Sequence, residues 1–286
     1  MRLLITGAHG RVGEGLKMHL ADDPDYELTY LDREDHPDYE THVADVGDYD
    51  AIRPAFDGQD AVVHLAAYPT TDGTWDQVRE SNIVGTHNVL EAAADAGVEN
   101  FVFASSIHAA GMYEEDNAPD LYELDFDLTV THEDPERPDS YYGASKAFGE
   151  DWGRYYVECR DSPEQFYAIR IASIRAPPYD NPYGDAEKGV ERGDWERGSE
   201  AYETQIKRLK GTWLSERDWA QLVELCLADG DLEFDIFFGT SENERGWYDI
   251  EHAKDVLGYE PQDRAEEWTE PPQELVDHVD SRRPDE

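Results

Sequence analysis

The sequence predicts an α/β fold with a doubly wound parallel sheet, and two features of the chain indicate it. Short apolar runs that end in glycine or a polar residue alternate with helical patterns through the first half. A glycine-rich turn joins the first of these runs directly to the first helical pattern. Strands that alternate with helices form βαβ units, which have parallel strands and right-handed crossovers.

The apolar runs predict seven strands, at residues 2–6, 27–31, 41–44, 60–67, 100–104, 166–171 and 234–238. The longest helical pattern covers residues 75–96, where apolar side chains recur at helical spacing. After Ser173 the composition changes. Residues 177–202 are rich in Pro, Gly, Asp and Glu and have no apolar period, so they predict a long acidic loop or insertion.

These patterns suggest three parts of one chain. Residues 1–173 form a nucleotide-binding core that carries the catalytic side chains. Residues 174–270 form a small C-terminal substrate-binding portion, with the acidic insertion 177–202, packed on the core as one domain. Residues 271–286 are expected to be a tail, frayed from residue 277.

The composition restricts the partners. The chain has 67 acidic and 24 basic residues, a formal net charge of -43. Nucleic acid and anionic membranes would be repelled, so neither is an expected partner. Because the charge is spread over the whole chain, we interpret the protein as halophilic. The alternative is an acidic protein from an organism that lives at ordinary salt concentrations.

The two cysteines, Cys159 and Cys226, lie far apart and form no CxxC motif, as expected of free thiols in a reducing compartment. No stretch resembles a signal peptide or a membrane span, so we expect a cytoplasmic protein. No metal site is predicted.

The turn after the first strand reads GAHGRVG, and it opens a helix. Glycines at this place let the backbone turn tightly and approach a pyrophosphate, which rests on amide groups at the helix N-terminus. This context predicts a Rossmann-type dinucleotide site. Its residues in the turn are Gly7, His9, Gly10, Arg11, Val12 and Gly13.

Asp32 ends the second strand, where an acidic side chain can accept hydrogen bonds from the adenosine ribose. This favours NAD and disfavours a 2′-phosphate. Arg11 and Arg33 can meet a 2′-phosphate, so NADP remains possible. The alternative for Asp32 is an ordinary turn residue.

Tyr142 and Lys146 lie four residues apart, on one face of a predicted helix. A phenol is a poor base at neutral pH, and a nearby ammonium lowers its pKa enough for proton transfer with a substrate hydroxyl. Ser106 ends the fifth strand, where it can hold a substrate oxygen against the tyrosine. The alternatives are a surface tyrosine over a lysine stem and a turn serine.

Together, TGAHGRVG, Asp45-Val46, HLAA, Ser106 and the Tyr142/Lys146 pair resemble the extended short-chain dehydrogenase/reductase superfamily. The resemblance implies that Ser106 and Tyr142 polarise a carbinol or carbonyl, while Lys146 lowers the tyrosine pKa and binds nicotinamide ribose. It implies that Asn82 supports a proton relay. It also places further cofactor contacts at Asp45, Val46, Leu65, Ala66 and Ala67.

Longer segments resemble one subgroup, which holds uronate dehydrogenases and haloarchaeal sugar dehydrogenases. They are SSIH at 105–108, GMY at 111–113, RPDSYYGASKAFGE, KGTWLSERD and the run from residue 239 to 263. The resemblance implies substrate contacts at Ser106, His108, Ser173 and Arg208. Two departures are Ile107, often asparagine in the subgroup, and the long stretch 177–202.

Arg208 belongs to the basic tetrad KRLK at 207–210, in a chain that is otherwise strongly acidic. A guanidinium there suits a carboxylate or phosphate. The alternative is an ordinary salt-bridge cluster, or one that pairs with the acidic stretch 177–202. For His108 the alternatives are a contact to sugar hydroxyls and a packed loop histidine.

Three functions follow from these observations. The leading hypothesis is an NAD(P)-dependent dehydrogenase that oxidises an aldose (a uronate, a sugar phosphate or a pentose) at C1 to the lactone. The second is a nucleotide-sugar epimerase or dehydratase with tightly bound NAD. The third is a non-catalytic NAD(P)-sensing scaffold. The resemblance also implies a homodimer packed through the helices that contain Trp75 and Tyr142.

Overall fold

A computed structural model describes residues 1–283. Seven parallel strands form one sheet in the order β3-β2-β1-β4-β5-β6-β7. The strands are β1 (Arg2–Thr6), β2 (Glu27–Asp32), β3 (Thr41–Val43), β4 (Ala61–His64), β5 (Asn100–Ser106), β6 (Gln165–Ile171) and β7 (Phe234–Gly239). All seven predicted strands are present, and the predicted α/β fold with a doubly wound parallel sheet is confirmed.

Eleven α-helices occur in the described residues. They are α1 (Arg11–Leu20), α2 (Tyr49–Ile52), α3 (Trp75–Val78), α4 (Gly85–Ala96), α5 (Met112–Glu115), α6 (Tyr141–Cys159), α7 (Gly184–Arg192), α8 (Glu200–Thr212), α9 (Glu216–Ala228), α10 (Glu251–Leu257) and α11 (Gln273–Asp280). A π-helical segment (Arg79–Val84) joins α3 to α4, so the helix predicted over residues 75–96 is continuous but locally widened.

The core lies on both faces of the sheet because alternate strand residues point to opposite sides. On one face, Leu3 and Ile5 belong to a cluster that includes Trp219 of α9. On the other face, Leu4 belongs to a cluster with Val89 of α4 and Tyr156 of α6. The strand order reverses between β1 and β4, and in open α/β sheets ligands bind at the carboxyl ends of the strands at such a point.

The interpretation of residues 177–202 as a loop is wrong. They contain the whole of α7, and α8 begins at Glu200. Buried apolar side chains in both helices form a small separate core, namely Tyr183, Ala186, Val190, Tyr202 and Ile206. The segment lacks a long apolar period because α7 has only nine residues and its charged positions are used in ion pairs.

The C-terminal segment is also more ordered than expected. Helix α11 places Leu275 and Val279, both buried, in the same small core as α7. Arg197 links the two regions through ion pairs to Glu187 (2.6 Å) and Asp280 (2.7 Å). The expected fraying from residue 277 is therefore wrong up to Asp280, and residues 284–286 lie outside the described part.

None of the helices formed by residues 1–283 combines the length and apolar composition needed to cross a lipid bilayer.

Candidate active site

The turn between β1 and α1 requires two of its glycines. Gly7 has a φ of +70°, and a Cβ there would lie 2.6 Å from the backbone nitrogen of Ala66. A Cβ on Gly13 would lie 2.5 Å from the carbonyl oxygen of Ala8. Both neighbours are backbone, so a larger residue would displace the turn. The glycines bring the N-terminus of α1 close to whatever occupies the sheet edge.

A cavity of about 400 Å³ opens above this turn. It contains every predicted cofactor residue of the turn, as well as Asp32, Arg33, Val46, Leu65, Ala66 and Ala67. Its lining also includes six residues that the sequence analysis missed, which are Leu31, Glu34, Ala44, Pro69, Thr70 and Ser81. Three of these, Leu31, Glu34 and Ala44, flank predicted positions at strand ends, which was the available signal.

Asp32 has its carboxylate oxygens occupied by the local backbone. Its Oδ2 accepts a hydrogen bond from the amide of His9 (2.8 Å), and its Oδ1 accepts one from the amide of Arg33 (2.7 Å). The carboxylate therefore ties the glycine turn to the end of β2. With Glu34 in the same lining, this end of the cavity is acidic, which disfavours an additional phosphate.

His9 lies at the base of the cavity and is held by side chains from two elements. One ring nitrogen is 2.8 Å from Thr41 Oγ1, and the other is 2.9 Å from the Nζ of the buried Lys17. Burial lowers the pKa of His9, and the Lys17 charge lowers it further. A neutral imidazole is the form that fits beside an ammonium.

Three predicted cofactor residues lie outside the cavity lining. Asp45 is exposed, and its Oδ1 accepts a hydrogen bond from the amide of Gly47 (2.8 Å), so its carboxylate shapes a turn. Tyr142 and Lys146 belong to a second group of side chains, where α6 begins.

Ser106 and Tyr142 meet at the end of β5. The Ser106 hydroxyl accepts a hydrogen bond from the amide of His108 (3.2 Å), whose ring in turn lies 5.9 Å from that of Tyr142. Burial raises the pKa of Tyr142, the interaction with Ser106 opposes this rise, and Asp139 adds to it. The pKa of Tyr142 is therefore raised above its ordinary value, where a lowered one was expected, and burial is the largest cause.

Lys146 is buried, and its Nζ donates to the carbonyl of Ala104 (2.7 Å). The ammonium lies 5.6 Å from the centre of the Tyr142 ring. Burial lowers the pKa of Lys146 to about 7, and the carboxylate of Glu150 one turn later opposes this shift. Arg170 donates two hydrogen bonds to Glu150 (2.9 and 2.8 Å). The carboxylate one turn from Lys146 is therefore part of a buried ion pair.

His108 forms a dyad with Asp139, a residue that the sequence analysis did not select. The distance from His108 Nδ1 to Asp139 Oδ2 is 2.5 Å. Ser140 donates to the other carboxylate oxygen (2.7 Å), and the pKa of Asp139 is lowered although its burial opposes this. The pair fixes the orientation of the imidazole, whose ring centre is 5.9 Å from that of Tyr142.

Asn82 lies in the π-helical segment and connects the two groups of residues. Its Oδ1 accepts from the amide of Tyr68 (2.7 Å), and its Nδ2 donates to the Ser145 hydroxyl (2.9 Å). The structure therefore places Asn82 on the residue next to Lys146. The widened turn is what turns this side chain towards α6.

Ser173 and Arg208 are both occupied by protein groups. Ser173 Oγ is 2.9 Å from Thr212 Oγ1, another residue that the sequence analysis missed. Arg208 Nε lies 2.5 Å from Glu114 Oε1, and its Nη2 lies 3.1 Å from Oε2. The phenol of Tyr122 also donates to Glu114 (2.8 Å). Glu114 itself is buried. For Arg208 the salt-bridge alternative is therefore present, although with Glu114 of α5 instead of the acidic stretch.

The described residues contain two groups of possible metal ligands. The first is formed by His9, Glu14 and His36, and the second by His132, Asp235 and His252. In the first, the ammonium of Lys17 is 2.6 Å from Glu14 and 2.9 Å from His9, so a cation already fills the space. In the second, the rings of His132 and His252 stack at 3.6 Å in nearly parallel planes, so one ion cannot lie in the planes of both rings.

The cavity and the group of side chains around Ser106 and Tyr142 together form a site suited to a dinucleotide-dependent enzyme. The cavity offers glycine-rich backbone and a helix N-terminus to a diphosphate, and acidic side chains to a ribose. Next to it, Ser106, Tyr142 and the oriented His108 offer hydroxyl and imidazole groups to an alcohol or carbonyl. This set is suited to removing the proton of a hydroxyl group while a hydride leaves the carbon that bears the hydroxyl.

Comparison with known proteins agrees with this geometry. The chain is 39% identical over 277 residues to the NAD-dependent glucose-6-phosphate dehydrogenase of Haloferax volcanii, which covers 93% of this chain and 95% of the relative. It is 35% identical to the L-arabinose 1-dehydrogenase (NAD(P)(+)) of the same organism, with 92% and 97% covered.

A uronate dehydrogenase mutant of Agrobacterium tumefaciens, solved in complex with NAD, matches with a TM-score of 0.71 and 28% identity, covering 100% of this chain and 91% of that chain. The model of the NAD dependent epimerase/dehydratase family matches residues 3–192, which include the glycine turn and the Ser106, Tyr142 and Lys146 group. NAD is the cofactor, and the glycine-rich turn between β1 and α1 has the backbone shape that fits it. The chain is therefore a member of the NAD dependent epimerase/dehydratase family.

Proposed function

We propose that this protein is an NAD(P)-dependent sugar dehydrogenase that oxidises the anomeric carbon of an aldose to a lactone. The observation that carries the proposal is the group at the end of β5, where His108 bonds to Ser106 and Asp139 and its ring lies 5.9 Å from that of Tyr142. The relatives named above support it, since they are sugar dehydrogenases and the chain matches nearly their whole length.

The glycine turn and the edges of the cavity hold the dinucleotide, with Asp32 at the adenosine ribose. Bound NAD supplies the acceptor for the hydride that leaves C1. Asp32 and Glu34 favour NAD over NADP, because a 2′-phosphate beside two carboxylates is repelled. Arg33 reduces this preference without reversing it.

In the reaction, Tyr142 removes the proton of the anomeric hydroxyl, and Ser106 orients that hydroxyl. Burial raises the pKa of the free phenol, so the tyrosine depends on positive charge nearby to ionise. Lys146 supplies that charge in its protonated form and loses it as the pH rises through about 7. His108 binds a sugar hydroxyl, with Asp139 as the residue that positions it.

The first experiment measures reduction of NAD and NADP in concentrated KCl, because a net charge of -43 requires counterions for the compact state. The substrates are glucuronate, galacturonate, glucose 6-phosphate, arabinose, xylose, glucose and UDP-glucose. We expect turnover on a free or phosphorylated aldose. In Tyr142→Phe, kcat falls about 10²- to 10⁴-fold while the Kd of NAD is retained.

Three results would contradict this proposal. Silence on every aldose with both cofactors would put the epimerase hypothesis first, to be tested on UDP-sugars without added NAD. Full activity of Tyr142→Phe would remove the tyrosine from the mechanism. Retained NAD binding without any chemistry in the wild type would favour the sensing scaffold.

We also propose that the protein is a cytoplasmic homodimer. Trp75 and Tyr141 are 50% and 57% exposed and pack edge to face against each other on α3 and α6. Such an exposed aromatic pair suits a partner surface. Cys159 and Cys226 are free thiols, as in a reducing compartment. A monomeric mass by sedimentation velocity in high salt would refute the homodimer. Recovery of the protein in a secreted fraction would refute the cytoplasmic location.

A further inference from the structure

Three cations near the cavity lie around a single ion-paired carboxylate, Asp185, which is unusual in a chain with 67 acidic residues. Arg175 binds Asp185 through both guanidinium arms, at 2.6 Å each. Arg11 donates to the carbonyl of Ile174 (3.4 Å), and the Lys188 ammonium lies 5.4 Å from the centre of the Tyr179 ring. Within residues 1–283, neither Arg11 nor Lys188 has a carboxylate at salt-bridge distance.

The cations lie close to one another. Arg175 Nη1 also donates to the Ile174 carbonyl (3.1 Å), so two guanidinium groups converge on one oxygen. Lys188 follows Asp185 by three residues on α7, on the same helix face. The pKa of Lys188 is lowered by burial, then by Arg192 and Arg11, and that of Arg11 by burial and then by Arg175.

Their position joins the two groups of site residues. Arg11 lines the dinucleotide cavity, and Ile174 directly follows Ser173, which the sequence predicts to contact the substrate. The charge of Asp185 contributes to raising the pKa of Arg208, but the Arg208 guanidinium is already neutralised by its ion pair with Glu114. Arg175 is paired with Asp185, so the uncompensated positive charge at this junction belongs to Arg11 and Lys188.

We propose that Arg11, Arg175 and Lys188 form a binding site for a phosphoryl group. Three cations and one carboxylate leave a net charge of +2 (three positive, one negative), which matches a phosphate monoester near neutral pH. The Arg11 guanidinium can bind phosphate oxygens with two parallel hydrogen bonds, and Lys188 adds a point charge. Arg175, whose Nε and Nη2 bind Asp185, contributes through its Nη1. As a site within a sugar dehydrogenase, this inference rests on the proposed function.

Two sources carry this chemistry: the phosphate ester of a sugar substrate and the diphosphate of the dinucleotide. Lys188→Gln removes one charge from an incompletely buried position, and Arg175→Met paired with Asp185→Asn removes an ion pair without leaving a lone charge. Lys254→Gln is the matched control, because Lys254 lies on α10 in ion pairs with Glu242 and Glu251.

Binding is measured first by calorimetry with inorganic phosphate, pyrophosphate and NAD, in concentrated KCl and without turnover. Each site variant is expected to weaken at least one of these ligands about tenfold, and the control to leave all three unchanged. This readout holds even if no aldose is oxidised, so it separates failure of the phosphoryl site from failure of the proposed function.

Kinetics then distinguish the sources. If the site takes the sugar phosphate, the KM for glucose 6-phosphate rises about tenfold in Lys188→Gln and the KM for glucose stays unchanged. If it takes the diphosphate, the Kd of NAD weakens and both sugars are affected equally. Unchanged affinity for phosphate, pyrophosphate and NAD in both folded site variants would overturn the proposal.

Discussion

The two halves of the site are built by different means. Around the dinucleotide cavity, contacts come mainly from backbone: close-approaching glycines, strand ends, and amides that Asp32 holds in place. Around Ser173 and Arg208, side chains from distant elements form buried or half-buried ion pairs, such as Arg208 with Glu114 and Arg175 with Asp185. The comparison teaches that one half depends on local shape and the other on charge balance.

The largest expected effect comes from breaking the charge balance in Glu114→Gln. Arg208 would lose its carboxylate in a mostly buried position, at a cost of about 3–5 kcal/mol in the free energy of unfolding. Urea denaturation in concentrated KCl measures it. The Kd of NAD should stay the same, because the cavity uses neither residue.

Glu123→Gln is the control for this prediction. Glu123 also pairs with a basic residue of α8, Lys207, at 2.5 Å, but that pair is exposed and screened by salt. We expect almost no change in its stability. If Glu114→Gln and Glu123→Gln changed the free energy of unfolding equally, the half of the site around Ser173 and Arg208 would not depend on the Arg208–Glu114 pair.

The second effect tests backbone shape in Gly13→Ala. The new Cβ would meet the Ala8 carbonyl oxygen at 2.5 Å, and because that neighbour is backbone, the glycine turn must move. Overpacking of this kind costs about 1–3 kcal/mol, so we expect the Kd of NAD to rise about tenfold or more. Calorimetry with NAD measures this change.

Gly230→Ala is the matched control, since a Cβ there meets nothing within 4 Å. It should bind NAD like the wild type. An unchanged Kd in Gly13→Ala would show that the turn adapts at little cost, and the contrast between the two halves would then weaken.

Local pattern was sufficient for much of this protein. The seven strands, the glycine turn and the Tyr142/Lys146 spacing are set by periodicity and by residues adjacent in the chain, and these parts were predicted at the right positions. The function of Asp45 as a cofactor residue was expected from the resemblance, but its side chain faces a turn. Helix α7 was missed because nine residues with few apolar positions give too short a period to recognise.

The sequence by itself determined the sheet and the cofactor class, and it supplied the side chains that we propose to be catalytic, because each depends on neighbours within a few residues. Only the tertiary structure decided how these groups are charged and paired. Asp139 beside His108 and Glu114 beside Arg208 are separated by 31 and 94 residues. Burial, which raises the pKa of Tyr142 and lowers that of Lys146 to about 7, also exists only once distant elements have packed around them.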